Sequence, residues 1–186
     1  MERIEQAMLA VPRADFLPPE YAEHAHIDAP LAIGHDQTNS QPTTVEIMLM
    51  LLGPRPGNKV LDVGSGSGWT TALLSELVGE KGYVWGVELV PDLVRMGQNN
   101  LKASGAKSAE IRQAHRRKLG LAEESPFDRI LVSAEAKEIP AELVKQLAPG
   151  GTMVIPVAGT MHRLCLDVYG HATVSTHGQF RFVPLV

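Results

Sequence analysis

Gly64, Gly66 and Gly68 follow the run Val60-Leu61-Asp62-Val63 and precede a helix-forming stretch that opens at Trp69. Alternate glycines, having no Cβ, let the chain take positive φ and bring its backbone against a ligand. A loop that opens a helix also turns the free N–H groups of the first turn toward that ligand. Two ligands suit such a loop. A dinucleotide places a pyrophosphate there, with glycines spaced G-x-G-x-x-G. Here the spacing is G-x-G-x-G, and Trp69 stands where the last glycine belongs. A large ring at that place would obstruct close helix–strand packing. S-adenosylmethionine has no phosphate and needs close backbone approach plus polar groups for its charged amino-acid end, so the pattern favours it. Asp62 suits its ammonium group, directly or through water. Glu88 ends the next strand-like run, 20 residues beyond Gly68. An acid there can accept hydrogen bonds from both ribose hydroxyls, or else cap the helix that begins near Pro91.

These residues must be held by alternating elements. Strand-like runs cover Lys59 to Val63, Tyr83 to Val87, Ala109 to Gln113, Arg129 to Ser133 and Met153 to Val157. Helical stretches cover residues 1–10, Trp69 to Val78, Pro91 to Ala103 and Pro140 to Leu147, with Pro149-Gly150-Gly151 as a turn. A further helix runs from a capping box, Thr43-Thr44-Val45-Glu46, to Gly53. Asp28 to Pro42 reads as irregular. Leu164 to Val168 and Phe180 to Pro184 read as a terminal antiparallel hairpin. The alternation predicts an α/β fold, a doubly wound and mostly parallel sheet with that hairpin at its C-terminal end. Ligands then bind beyond the carboxyl ends of the strands, in the loops after Val63, Val87, Gln113 and Ser133. We expect one domain over 1–186: a section over 1–58 with helices and a substrate loop, a cofactor-binding core over 59–160, and C-terminal strands over 161–186.

Seventeen basic against 21 acidic residues leave a net charge of −4, with no basic excess to attract nucleic acid or an anionic membrane. The longest apolar run, Ile47 to Leu52, falls far short of a membrane span, and Glu2, Arg3 and Glu5 are unlike the start of a secretory signal. With Cys165 the one cysteine, no internal disulfide can form. Its apolar neighbours predict a buried structural thiol. We expect a soluble, cytoplasmic monomer that holds no metal, since the histidines lack catalytic metal-ligand spacing. Trp69 and Trp85 are expected to pack, Trp69 with the option of edging the cofactor pocket. Met48 and Met50 are expected to line a helix contact.

Several segments together resemble the protein-L-isoaspartate O-methyltransferases. Pro12-Arg13-x-x-Phe16-x-Pro18 is similar to that family's opening. Asp28-Ala29-Pro30-Leu31-Ala32-Ile33-Gly34, leading to Gln37-Thr38-Asn39-Ser40-Gln41-Pro42, resembles its substrate and cofactor loop. Val60 to Gly68 resembles its cofactor loop, Pro149 to Val157 its fifth-strand motif, and Phe180-Arg181-Phe182-Val183-Pro184-Leu185 its C-terminal segment. The resemblance covers nearly the whole chain. It implies transfer of a methyl group from S-adenosylmethionine, leaving S-adenosylhomocysteine, to the carboxylate of L-isoaspartyl residues in damaged peptides and proteins. It assigns Gln37, Thr38, Asp62, Gly64, Ser65, Gly66, Ser67, Gly68, Glu88 and Leu89 to the cofactor, Thr38, Asn39 and Ser40 to the acceptor, and the catalytic place to Ser40. A carboxylate is already ionised near neutrality, so no general base is needed. Catalysis then reduces to holding an oxygen in line with the methyl group, which a hydroxyl such as Ser40 can do by donating a hydrogen bond. Otherwise Thr38 and Ser40 are turn or capping residues ahead of Thr43.

Three departures stand out. Asp36 replaces a common glycine, and Asn39 replaces the usual isoleucine, bringing an amide that could alter substrate preference. After the third strand, where the family has Gly-Asp-Gly with the aspartate near adenine, alignment places His115, Arg116 and Arg117. An arginine cannot accept the adenine amino hydrogens, so a backbone carbonyl takes them or the pocket is rebuilt. His115-Arg116-Arg117-Lys118 then reads as a solvated loop or as a face for an acidic peptide. The departures leave two alternatives open: a methyltransferase for a dedicated peptide or small acid, and a cofactor-binding module without turnover.

Overall fold

A computed structural model describes residues 2–186; residue 1 of the first expected helix lies outside them. The elements run α1 (Glu2–Ala10), α2 (Pro19–Ala22), β1 (Leu31–Gly34), β2 (Gln37–Asn39), α3 (Pro42–Leu52), β3 (Lys59–Val63), α4 (Trp69–Val78), β4 (Tyr83–Glu88), α5 (Pro91–Ser104), β5 (Ala109–Gln113), β6 (Phe127–Val132), α6 (Ala141–Val144), β7 (Leu147–Val157), β8 (Thr160–Leu166) and β9 (Ala172–Gln179). Seven strands form one sheet in the order β5-β4-β3-β6-β7-β8-β9. β5 through β7 are parallel neighbours, while β8 and β9 add antiparallel. The strand order reverses between β3 and β6, which opens a crevice at their carboxyl ends.

Alternating side chains send each strand's apolar residues to both faces. Val60, Val84, Leu131 and Val154 pack with α1, α3 and α4 on one face. Leu61, Ile130, Val132, Met153 and Ile155 form the core of the other. That second face is thinly covered, because the helix expected over Pro140 to Leu147 is the single turn α6; β7 begins at Leu147 and takes in Pro149-Gly150-Gly151. Among the described residues, no helix is long and apolar enough to cross a membrane.

Five other local expectations are corrected. The stretch before α3 is no irregular loop: β1 and β2 form a hairpin, turned through His35 and Asp36 at φ 55° and 57°. That left-handed turn is why a glycine suits position 36. The box at Thr43–Glu46 does not cap α3, which starts at Pro42. Asp28 does so from outside, accepting from the Thr43 N–H at 2.9 Å and Oγ at 2.8 Å and from Gln41 Nε2 at 2.9 Å. The terminal hairpin is β8–β9, and 180–184 lies beyond it as an extended segment instead of its second strand. Cys165 is only half-buried, its Sγ 3.7 Å from Thr152 Oγ1. Met48 is buried but Met50 is largely exposed, so only the first packs.

Candidate active site

The chain leaves β3 into a loop whose Gly64, Gly66 and Gly68 all have positive φ. Gly64 N–H donates to Val87 O at 2.9 Å, and Gly68 N–H closes a turn on Ser65 O at 2.8 Å. Glu88 fastens the loop to the neighbouring strand. Its carboxylate accepts from Gly66 N at 2.9 Å and from Val90 N, at the start of α5, at 2.9 Å. The helix-capping reading of Glu88 is therefore realised, and the same side chain lines the cleft described below. Each carboxylate oxygen retains a further lone pair for a hydroxyl. Trp69 is buried, edges the recess described below, and donates from Nε1 to Val11 O at 3.1 Å.

Asp62 is fully buried. Thr70 and Thr71 donate to its Oδ2 at 2.7 and 2.6 Å, while Oδ1 has no partner among the described residues. Burial pushes this carboxyl up to about 6, against the pull of the two hydroxyls, and the charge of Glu88 adds to the rise. Ser65 Oγ, in the same loop, is likewise buried and unpartnered. Unsatisfied buried polar atoms are uncommon in folded proteins. Asp62 Oδ1, an open acceptor, and the Ser65 hydroxyl, which can donate, fit the ammonium and the carboxylate of an amino-acid moiety.

The crevice holds an open cleft between the loop, Glu88, Leu89, Ile33, Gln37 and Thr38. Its far end is lined by Ala114, His115, Lys118, Leu119 and Gly120. Arg116 and Arg117 occupy the exposed tip of a turn, away from the cleft. The arginine aligned with the family aspartate is therefore not part of the cleft lining. A second groove, lined by Ser40, Thr44, Ile47, Arg181 and Phe182, shares Thr38, Ser133 and Val183 with the cleft. A small recess sets Thr38, Asn39 and Ser40 against Gly64–Ser67, Trp69, Thr70 and Ser133, and shares residues with both. Residues 183–185 close one wall, held by Glu135 N–H on Val183 O and Leu185 N–H on Glu135 O, both 2.8 Å.

All ten residues assigned to the cofactor lie in or beside this crevice. Gln37, Thr38, Gly64, Gly66, Glu88 and Leu89 line the cleft, Ser65 and Ser67 line the recess, Asp62 sits beneath the loop, and Gly68 N-caps α4. Ser40 lies in the groove and the recess. Asn39 is different. It is buried, accepts from Arg13 Nε at 2.8 Å and donates to Ser67 Oγ at 3.2 Å, so its amide is engaged inside the protein. The buried Arg13 guanidinium also donates to the carbonyls of Ala25, Ile27, Ala29 and Asn39, gathering the segment that carries Thr38 and Ser40. Asn39→Ile should break both side-chain bonds, each worth about 1 kcal/mol. The expected result is a melting point several degrees lower and a raised acceptor KM; an unchanged melting point would show the two bonds to be idle. Ser133 borders all three hollows, and the sequence does not single it out because a lone serine after a strand carries no motif.

The family described as Protein-L-isoaspartate(D-aspartate) O-methyltransferase (PCMT) matches residues 1–186. A protein-L-isoaspartate O-methyltransferase of Methanopyrus kandleri is 44% identical over 190 residues, covering 99% of this chain and 83% of that one. A solved protein-L-isoaspartate O-methyltransferase superposes with a TM-score of 0.88 at 26% identity, over all of this chain, which spans 62% of that structure's length. A Plasmodium falciparum structure of the same name, in complex with S-adenosyl-L-homocysteine, also gives a TM-score of 0.88 at 27% identity, covering 100% of this chain and 91% of that one.

Proposed function

Given that this chain belongs to the protein-L-isoaspartate(D-aspartate) O-methyltransferase family, we propose that it methylates the carboxylate of L-isoaspartyl residues in damaged proteins with S-adenosylmethionine, through the residues described above. The observation that carries this reading is the meeting of the cleft and the groove at Thr38 and Ser133, with Ser40 in the recess that shares residues with both. S-adenosylmethionine supplies, when bound, a methyl group made electrophilic by its sulfonium. Asp62 Oδ1 and Ser65 Oγ take the amino-acid end, the glycine loop gives close backbone approach, and Glu88 accepts from the ribose. With Arg116 turned outward, the backbone between Ala114 and Gly120 receives the adenine edge.

Ser40 donates its hydroxyl proton to the acceptor carboxylate and fixes it in line with the methyl carbon. Orientation of this kind can supply about 7–11 kcal/mol of a barrier. The carboxylate is the nucleophile as it stands, so no side chain has to remove a proton. A backbone amide nitrogen of the peptide then attacks the methyl ester, expelling methanol and closing a succinimide, which water reopens partly to normal aspartate. We take the whole chain as one such domain, working as a monomer in the cytoplasm, without nucleic acid, membrane or metal. Asn39 no longer motivates a dedicated acceptor, since its amide is occupied by Arg13 and Ser67.

The test is methyl transfer from labelled S-adenosylmethionine to an isoaspartyl peptide beside its aspartyl twin. Selective labelling of the first is expected. Ser40→Ala should lower kcat by roughly 10- to 100-fold, the cost of a hydrogen bond to a charged group, with cofactor affinity retained. Cofactor binding without labelling of either peptide would sink the reaction and leave a binding module.

A further inference from the structure

We propose that Ser133 is a second acceptor-binding hydroxyl, which donates to the acceptor carboxylate oxygen that does not attack; the inference rests on the isoaspartyl reading above. Ser133 directly follows β6, at the reversal of strand order, and its N–H donates to Val63 O at 2.8 Å. That bond fixes its backbone beside the glycine loop. It lines the cleft, the groove and the recess alike, a position that Thr38 also has. Its Oγ is buried and has no hydrogen-bond partner among the described residues.

A hydroxyl can donate one hydrogen bond and accept others, and leaving all of them unmade inside a protein is costly. Such a group earns its place when a ligand completes it. Two other side chains at the crevice share this state, Asp62 Oδ1 and Ser65 Oγ. They belong to β3 and the loop after it, on the cofactor's side. Among the described residues, Ser133 is the one whose buried and unpartnered side-chain atom also borders the groove holding Ser40. A carboxylate has two oxygens. One donor leaves it free to rotate about the bond to its carbon; a second donor on the other oxygen fixes its plane. With Ser40 and Ser133 on separate elements, the plane is set by the scaffold and not by the peptide. The attacking lone pair is then aimed once the acceptor is seated. Neither hydroxyl exchanges a proton, so the reaction keeps the same balance: one oxygen–carbon bond forms as the sulfur–carbon bond breaks.

The experiment compares Ser133→Ala and Ser133→Thr with the unaltered protein in three measurements. These are steady-state methylation of an isoaspartyl peptide, calorimetric titration with S-adenosylhomocysteine, and melting without ligand. The expected result for Ser133→Ala is an acceptor KM raised roughly tenfold, as for loss of a hydrogen bond to a charged group. S-adenosylhomocysteine Kd should hold within about twofold, and the melting point should not fall, because the lost hydroxyl had no partner to lose. Ser133→Thr should restore the KM. An unchanged KM, a loss that falls on S-adenosylhomocysteine Kd instead, or a lower melting point with all constants impaired would each overturn the assignment. Absence of isoaspartyl methylation by the unaltered protein would instead remove the reaction itself, and this role with it.

Discussion

Asp62→Asn should weaken S-adenosylmethionine binding by roughly 30-fold or more, since removing one member of a buried charge pair costs about 2–5 kcal/mol. The substitution keeps the size of the side chain and an oxygen for Thr70 or Thr71, so the loss isolates the charge. The ligand-free protein should respond in the opposite sense. The folded carboxyl titrates near 6 because burial disfavours its charge, whereas an unfolded aspartate titrates near ~3.9. Between those values the folded state holds the proton that the unfolded state has released. Stability from this group is therefore highest below about pH 4, falls as pH rises to about 6, and is level above, a loss on the order of 3 kcal/mol. Asp62→Asn removes that slope and should leave the ligand-free fold more stable at neutral pH. Binding has the complementary sign: an ammonium ligand favours the ionised carboxylate, so affinity should climb as pH passes 6 and then flatten, with proton release below it. Calorimetry at pH 5, 6 and 7.5 on both proteins checks this. An affinity that is flat in pH, or equal in the two proteins, would place the ammonium elsewhere.

Gly68→Ala is the second large effect. Its φ of 92° lies where a Cβ is disfavoured, and the added methyl would stand 3.2 Å from Gly97 O and 3.3 Å from Gly97 Cα, backbone atoms of α5 that cannot swing aside. The left-handed cost of about 1–2 kcal/mol adds to overpacking of about 1–3 kcal/mol. A melting point lower by roughly 5–15 °C is expected for a chain of this size, together with weaker cofactor binding as α5 and the loop are forced apart. Gly53→Ala is the control. It has φ 59° and nothing within 4 Å of the added methyl, so only the backbone cost applies. Equal losses at the two positions would mean that the contact with α5 is soft.

The sequence carried the sheet well where a strand–helix repeat is periodic. β5 and α4 fall on the expected residues, and β3 and the glycine loop announce themselves because a sharp turn beside a ligand tolerates few residue types. What it hid was set by contacts between distant residues. Asp28 caps α3 across a gap in sequence that the local Thr43-x-x-Glu46 pattern disguises. Asn39 seemed to offer a polar group to an acceptor, yet it is consumed by Arg13, 26 residues away. Phe180 to Pro184 alternates like a strand, but β9 had already taken the edge of β8, so the segment crosses instead toward Glu135. Ser133 is indistinguishable from any serine until the three hollows around it are seen.

Residues 183–185 give the crevice a property that concerns its making. Every other wall, from Ile33 to Ala134, is already synthesised when the ribosome reaches this segment, and the sheet can pair through β9 without it. Only then do Val183 and Leu185 latch onto Glu135 and finish the shared boundary of cleft and groove. A nascent chain can thus be folded in most respects and still lack a wall of its active site, so that a truncated copy of this repair enzyme is left without the full means to methylate anything.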